Sequence, residues 1–198
     1  MRIISGTAKG TKLYTLEGLE TRPTLDRVKE SLFNIIHNEI EESTVLDLFS
    51  GSGAIGLEFA SRGAKKVYLC DKSKDACKII EKNIEKTHLE NKVTLLCSDF
   101  LKAINQMREE KIDIIYLDPP YKTDFIKIAI EELIKNEIIT KDTLIIIETD
   151  EKERVIKQIE KTNEIELTDQ RKYGRANIIF LKKKERKGRI NWWRYLHY

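Results

Sequence analysis

Four consecutive residues, Asp118-Pro119-Pro120-Tyr121, combine a carboxylate, a rigid backbone and an aromatic ring. An amino group on an aromatic base is a poor nucleophile, because its lone pair is delocalised into the ring. Two acceptors for its two protons, the Asp118 carboxylate and the Pro119 carbonyl, would make that nitrogen tetrahedral. The prolines restrict the backbone that presents this carbonyl, and Tyr121 can stack on an extruded base. The tetrad therefore predicts group transfer to an exocyclic amino nitrogen, with these four residues as the catalytic ones.

A glycine-rich segment, residues 47–56, ends one predicted strand and opens a predicted helix. Its glycines allow a tight turn and a close approach to a ligand, while the amide groups of the helix point towards that ligand. The spacing is also that of a dinucleotide fingerprint, which by itself does not separate NAD from S-adenosylmethionine. Asp71 follows Gly53 by 18 residues, close to the spacing expected of an acid that holds ribose hydroxyls.

Two further acids favour S-adenosylmethionine as the cofactor. Asp47, just before the glycines, suits a cationic amino-acid group and would repel a pyrophosphate. Asp99 could accept a hydrogen bond from an adenine amino group while Phe100 packs on the ring; Asp99 could equally cap the following helix, and the two roles are compatible. The predicted cofactor residues are Asp47, Phe49, Gly51, Ser52, Gly53, Asp71, Lys72, Asp99, Phe100 and Asp118. No metal site is expected.

From residue 44 onward, apolar β-branched segments alternate with segments of helical spacing. This alternation predicts a Rossmann-like α/β fold with a mainly parallel seven-stranded sheet, covered on both faces and closed by an antiparallel strand. Right-handed crossovers bring the carboxyl ends of the strands to one edge, where ligands bind. The predicted strands are 44–49, 66–71, 92–99, 112–118, 143–149, 164–170 and 176–182, and the predicted helices are 55–62, 74–87, 100–109, 124–136 and 152–161.

Three regions are expected along the chain. Residues 1–42 should form a small hairpin and a helix over 25–39 with Thr24 as its N-cap. Residues 43–184 should form the catalytic domain. Residues 185–198 are a basic and aromatic tail without periodicity. Such a tail could contact nucleic acid or could be a non-native addition from recombinant expression, and we favour the second interpretation.

Composition and charge narrow the class of protein. The net charge is +3, but residues 171–198 alone carry ten Lys or Arg and one Glu, an asymmetry typical of a polyanionic partner or of a solvated tail. No apolar run reaches the roughly 20 residues that cross a bilayer. The three cysteines, Cys70, Cys77 and Cys97, are expected to be small buried thiols. A cytoplasmic protein without membrane association is predicted.

The pattern resembles the class I methyltransferases, and more closely the bacterial 16S ribosomal RNA guanine-N2 methyltransferase family. The resemblance covers nearly the whole chain to about residue 184. Besides the tetrad and the glycine loop, it rests on Arg22-Pro23-Thr24 with Arg27 and Val28, and on Lys172-Tyr173-Gly174. The remaining stretches that carry it are 2–6, 9–13 and 25–34.

The resemblance implies a monomeric, S-adenosylmethionine-dependent enzyme that methylates one guanine of 16S rRNA, in an assembling small ribosomal subunit. It also implies that residues 1–42 contribute to RNA binding and to the active site, and that Arg22, Pro23, Thr24 and Arg27 border the site. Lys9, Lys12 and Arg175 are further candidate phosphate contacts. Three alternatives stay open: a DNA adenine-N6 or cytosine-N4 methyltransferase, a non-catalytic RNA-binding or assembly module, and an NAD-dependent dehydrogenase. The dehydrogenase lacks an obvious acid or base for hydride transfer, because the three histidines lie on predicted helices or in the tail.

Overall fold

A computed structural model describes residues 1–16, 23–108, 110–120 and 123–185, with the backbone alone at 23–25. Tyr121, Arg22 and the tail from residue 186 onward lie outside the described residues. Six α-helices and seven strands make up this part of the chain. The helices are α1 (Pro23–Ile35), α2 (Ala54–Ser61), α3 (Lys74–Thr87), α4 (Phe100–Gln106), α5 (Phe125–Lys135) and α6 (Lys152–Glu160). The strands are β1 (Thr44–Asp47), β2 (Lys66–Asp71), β3 (Val93–Cys97), β4 (Ile114–Leu117), β5 (Leu144–Thr149), β6 (Ile165–Tyr173) and β7 (Ala176–Lys183).

The strands form one sheet in the order β3-β2-β1-β4-β5-β7-β6. The first five are parallel, and β7 runs antiparallel between β5 and β6. The predicted α/β architecture is therefore confirmed, with the antiparallel strand lying inside the sheet rather than at its edge. The strand order reverses between β1 and β4, and ligands bind in the crevice at such a point in open α/β sheets.

Two apolar layers cover the sheet. The N-terminal hairpin, α1, α2 and α3 pack on one face, and α4, α5 and α6 pack on the other. The central strands are buried on both faces, as in β4, where all four residues are buried. Their near-continuous apolar sequence follows from this double covering.

The N-terminal helix differs from its prediction at both ends. It begins at Pro23, so Thr24 is not its N-cap; proline suits a first helical turn, because its missing N–H would have no partner there. It ends at Ile35, and residues His37–Glu39 form a separate 3₁₀ helix. The predicted helix over 100–109 ends earlier, at Gln106.

Glu58 of α2 joins the N-terminal hairpin and α1 to the sheet. It is fully buried and accepts hydrogen bonds from the amides of Ile4 and Ser5, at 2.8 and 3.0 Å. Its carboxylate also pairs with Lys29 of α1 at 3.0 Å and with Arg62 at 2.7 Å. We refer to Glu58 and these four partners as the Glu58 anchor. The hairpin itself is minimal, with a single antiparallel bridge between Arg2 and Lys12.

The cysteine prediction is wrong for two of the three residues. Cys77 of α3 and Cys97 of β3 form a disulfide with a Cα–Cα distance of 5.9 Å. The pairing of β3 with β2 sets Cys97 opposite Asp71, close to the start of α3, which sequence spacing does not reveal. Cys70 is a buried free thiol as expected, and burial raises its pKa to about 12, so it stays protonated.

None of the helices in the described part of the chain has both the length and the apolar character that a membrane span requires. Within the same residues, no group of three or more His, Cys, Asp or Glu side chains is arranged to hold a metal ion.

Candidate cofactor and acceptor site

The glycine loop turns from β1 into α2 through two positions that require glycine. Gly53 caps α2 with a φ of +78°, a left-handed conformation that side chains disfavour. At Gly56, a Cβ would lie 2.0 Å from Cδ2 of Leu69 in β2. The loop is therefore held close to β2, with the amino end of α2 directed towards the carboxyl edge of the sheet.

Asp71, at the end of β2, holds the glycine loop from the neighbouring strand. Its Oδ2 accepts from the Gly51 amide and its Oδ1 from the Ser73 amide, both at 2.9 Å. The carboxylate is half-buried. Each oxygen has a further lone pair, so the Asp71 carboxylate can still accept hydrogen bonds from the two hydroxyl groups of a diol.

A cleft of about 390 Å³ opens at the carboxyl ends of β1, β2, β3 and β4. The prediction that the glycine loop and three acids from separate strands converge is met at this edge, because Gly51, Asp71, Asp99 and Asp118 all line the cleft. Its other lining residues are Leu48, Phe49, Lys72, Phe100, Pro119, Pro120 and Phe125.

Three phenylalanines form an apolar group in the wall of the cleft. Phe100 lies with its ring centroid 5.2 Å from both Phe49 and Phe125, and the Phe49 and Phe125 rings are parallel at 6.2 Å. Lys72 lies 5.8 Å above the Phe125 ring. Such a surface suits a flat heteroaromatic ring.

Asp99 caps α4, as the alternative interpretation of this residue expected. Its Oδ1 accepts from the Leu101 amide at 2.9 Å. The side chain is exposed beside the cleft, so its second oxygen remains accessible to a ligand.

Asp47 lies beneath the glycine loop and does not line the cleft. It is buried, and among the described residues its Oδ1 has no hydrogen-bond partner. Burial raises its pKa to about 7, against the lowering effect of the Phe49 amide. A buried carboxylate without a counter-charge favours a cation in the adjoining cleft.

Asp118 follows β4 and faces the cleft. Its side chain is accessible from the open cleft, yet the surrounding protein desolvates the carboxylate and raises its pKa well above the ordinary range. The charge of Glu148 adds most to this effect, followed by Asp47 and Asp150. Within the described residues none of these four acids is in an ion pair, so a cation bound in the cleft would favour their ionised forms.

The residues present fit S-adenosylmethionine. The phenylalanine surface and Asp99 could hold an adenine ring, and Asp71 could hold the ribose. Asp118 on the cleft wall and Asp47 beneath the glycine loop suit the cofactor's positive charges, and their ionised forms would repel a pyrophosphate. A dehydrogenase would need an acid or base beside its cofactor, but His37 and His88 are exposed and do not line the cleft.

The residues predicted to contact RNA lie in different places. Arg175 is exposed in the turn between β6 and β7, beyond Thr149 at the carboxyl end of β5. Arg27 is exposed on α1. Lys9 is exposed near the end of α2 remote from the cleft, since Thr7 and Ala8 bond to Ser61. Lys12, also exposed, follows in the hairpin.

Four residues of this region were missed by sequence reasoning: Leu48, Tyr116, Phe125 and Glu148. Phe125 opens the helix that follows the tetrad, and Glu148 lies near the carboxyl end of β5. The rule that placed Asp71 and Asp118 at one sheet edge would have found both. No pattern in the sequence distinguishes Leu48 and Tyr116 from ordinary core residues.

A larger open groove of about 550 Å³ lies elsewhere, lined by residues including Ile139, Thr140 and Lys183. It lies at the amino end of β5 and the carboxyl end of β7, opposite the edge of the sheet at which the cleft opens. Its mixture of lysines and glutamates does not include any of the predicted site residues.

Known proteins share this fold across nearly the whole chain. An Escherichia coli protein provisionally described as a methyltransferase has a TM-score of 0.77 at 24% identity, covering 94% of this chain and 99% of its own. A Haemophilus influenzae protein provisionally described as a methylase has a TM-score of 0.72 at 28% identity, with 93% and 99% covered.

Sequence relatives carry names that agree with the fold. A Bacillus subtilis protein provisionally named rRNA methyltransferase YlbH is 32% identical over 93% of this chain and 100% of its own length. The Ribosomal RNA small subunit methyltransferase D of Haemophilus influenzae is 36% identical, over 79% of this chain and 82% of its own. The expectations of methyl transfer and of S-adenosylmethionine as cofactor are confirmed by these relatives together with the fold.

The family model described as Conserved hypothetical protein 95 matches residues 1–182, which span the hairpin, the cleft and the whole sheet. Because that match includes every element that builds the cleft, the chain belongs to this family of methyltransferases.

Proposed function

We propose that this protein transfers a methyl group from S-adenosylmethionine to the exocyclic N2 amino group of a guanine in 16S rRNA. The observation that carries the proposal is Asp118, a desolvated carboxylate on the cleft wall joined directly to two prolines. Relatives named as small-subunit ribosomal RNA methyltransferases support rRNA as the substrate class.

Asp118 and Pro119 would prepare the nitrogen for attack. The Asp118 carboxylate and the Pro119 carbonyl accept the two amino protons, so the nitrogen lone pair is released from conjugation and directed into the cleft. Bound S-adenosylmethionine supplies an electrophilic methyl group. As the nitrogen gains this methyl group it loses one proton, and the raised pKa of Asp118 makes its carboxylate a suitable acceptor.

Cations at the same edge of the sheet as the cleft support a polyanionic substrate. Lys152, Lys172 and Arg175 line a separate open groove of about 410 Å³ at the β6–β7 turn, together with the acids Asp150 and Glu153. Cations at this edge could hold phosphates while the acids within the cleft hold the base. We also propose that the enzyme is a monomer and that it acts in the cytoplasm on an assembling small ribosomal subunit.

The proposal is tested by incubating the protein with labelled S-adenosylmethionine and with three substrates: 16S rRNA, small subunits that lack the modification, and duplex DNA. We expect label in RNA, at N2 of one guanine when the nucleotide is mapped by mass spectrometry. Label at adenine N6 or cytosine N4 of DNA would replace the proposal by the DNA alternative. Cofactor and RNA binding without any label would support the non-catalytic module.

Asp71→Ala with Asp75→Ala as its control tests the cofactor half of the site. Asp75 lies in the first turn of α3 and is exposed, in a surface pair with Lys78. We expect Asp71→Ala to weaken S-adenosylmethionine binding in calorimetry and Asp75→Ala to leave it unchanged. Equal affinities of the two variants would refute the ribose role of Asp71.

A further inference from the structure

Glu148 lies beside Asp118 at the carboxyl ends of neighbouring strands. Leu117 of β4 is in register with Ile147 of β5, and Asp118 and Glu148 are the next residues. Adjacent strands are roughly 4.8 Å apart. Glu148 lines a small pocket with Pro119 and Pro120, and both prolines also line the cleft beside Asp118, so a ligand placed at the prolines lies within reach of both carboxylates. Their mutual influence agrees with this placement, since the charge of Glu148 raises the pKa of Asp118.

Tyr116 holds the Glu148 carboxylate in one orientation. The tyrosine is 2% exposed, and its Oη donates a hydrogen bond to Glu148 Oε2. Within the described residues, no group donates to Oε1 and no cation pairs with this carboxylate. Glu148 is half-buried, where an acceptor without a donor costs free energy. One oriented oxygen is therefore free to accept from a ligand.

The group beside the amino nitrogen of each base, a donor or a lone pair, determines which base a second carboxylate would select. Guanine carries an N1–H donor directly beside its amino group. Adenine and cytosine carry a ring nitrogen with a lone pair in the corresponding position. A carboxylate next to Asp118 would accept from the guanine N1–H but would face a lone pair on the other two bases. Two adjacent acceptors therefore match only the guanine edge.

We propose that Glu148 determines the base specificity of the site: its Oε1 accepts the N1–H of the target guanine while Asp118 accepts from the N2 amino group. This inference rests on the proposed function and names the residue that selects guanine among amino-bearing bases. Tyr116 acts as a positioning residue for Glu148.

The test compares two RNA substrates that differ at the target position alone, one with guanine and one with 2-aminopurine. 2-Aminopurine keeps the amino group at position 2 but has a lone pair at N1. We expect the wild-type protein to prefer guanine by roughly 100-fold or more in kcat/KM, because a site built around a hydrogen bond rejects analogues that lack the donor. The amide of Glu148→Gln can accept or donate, so this preference should fall to within about 10-fold.

Controls separate recognition from damage to the fold. Asp142→Asn removes an exposed acid just before the amino end of β5, remote from the cleft, and should leave the substrate preference intact. Tyr116→Phe keeps the Glu148 carboxylate but removes the hydrogen bond that orients it. The preference for guanine should therefore fall less than in Glu148→Gln. Thermal unfolding and S-adenosylmethionine affinity of each variant establish that the cleft is formed.

Equal loss of activity on both substrates in Glu148→Gln, with the guanine preference unchanged, would overturn the inference and leave guanine-N2 methylation standing. A wild-type enzyme that methylates both substrates equally would also overturn it. Failure of the wild-type protein to methylate guanine in any RNA would instead overturn the proposed function, and the inference with it.

Discussion

Glu58 and Asp47 are both buried on the same face of the sheet, but only one of these two carboxylates has partners for both of its oxygens. Glu58 accepts two amide hydrogen bonds and pairs with two cations. Asp47, equally buried, has an oxygen without a described partner, and its pKa is raised to about 7. A satisfied buried charge holds two parts of a fold together, whereas an unsatisfied one prepares a place for a ligand cation.

Removing Glu58 should have the largest effect on stability. Glu58→Ala leaves Lys29, which is 3% exposed, as a buried cation without its counter-charge, and should lower the free energy of unfolding by about 3–5 kcal/mol. Urea denaturation followed by circular dichroism measures this change. Glu81→Ala, on the exposed side of α3, is the control and should change stability by less than about 0.5 kcal/mol. A similar small change for Glu58 would mean that the anchor does not secure the hairpin.

Removing the carboxylate of Asp118 should affect catalysis instead. Asp118→Asn keeps the size of the side chain but loses the strong acceptor, so kcat should fall by roughly 10²–10³-fold. Single-turnover methylation of RNA measures the rate, and calorimetry should show cofactor affinity changed by no more than a few-fold. Retention of full activity would remove Asp118 from the mechanism.

Asn83 links the N-terminal segment to the glycine loop, and its removal should have an intermediate effect on stability and on cofactor binding. It is buried in α3, accepts from the Tyr14 amide at 2.7 Å, and donates to the carbonyls of Tyr14 and Ser52 at 2.9 Å. Asn83→Ala should cost about 1–3 kcal/mol of stability and should weaken cofactor binding, because Ser52 belongs to the glycine loop. Loss of stability with unchanged cofactor affinity would show that the hairpin and the loop are independent.

Asp47→Asn should change stability less than Glu58→Ala or Asn83→Ala, and it should stabilise the protein rather than destabilise it. The folded-state pKa of Asp47, about 7, lies above the ordinary aspartate value of 3.8, so ionised Asp47 destabilises the protein increasingly as pH rises through this window. The variant should therefore be more stable than wild type by about 1–2 kcal/mol at pH 8, with little difference near pH 4. Thermal unfolding at both pH values tests this sign.

Cofactor affinity provides the complementary measurement for Asp47. A cation in the cleft favours the ionised form, so wild-type affinity should increase as pH rises from 5.5 to 7.5, and Asp47→Asn should weaken that dependence. A pH dependence identical in the two proteins would show that Asp47 does not respond to the cofactor.

The sequence by itself determined the fold class and the placement of the main site residues. Apolar strands alternating with helices specify a covered parallel sheet, and residues at the ends of such strands must meet at one edge. For this reason the sequence alone predicts that Asp71, Asp99 and Asp118 lie close together. The glycine pattern likewise required a tight turn between β1 and α2.

Only the tertiary structure decided which side chains are satisfied. Asp47 and Glu58 are both acids in largely apolar surroundings, and nothing local to either sequence shows that one has four partners and the other an unpaired oxygen. The Cys77–Cys97 disulfide and the Tyr116–Glu148 hydrogen bond likewise join residues that are distant in sequence. These contacts depend on strand register and on helix packing, which are set by the whole chain, so local spacing could not predict them.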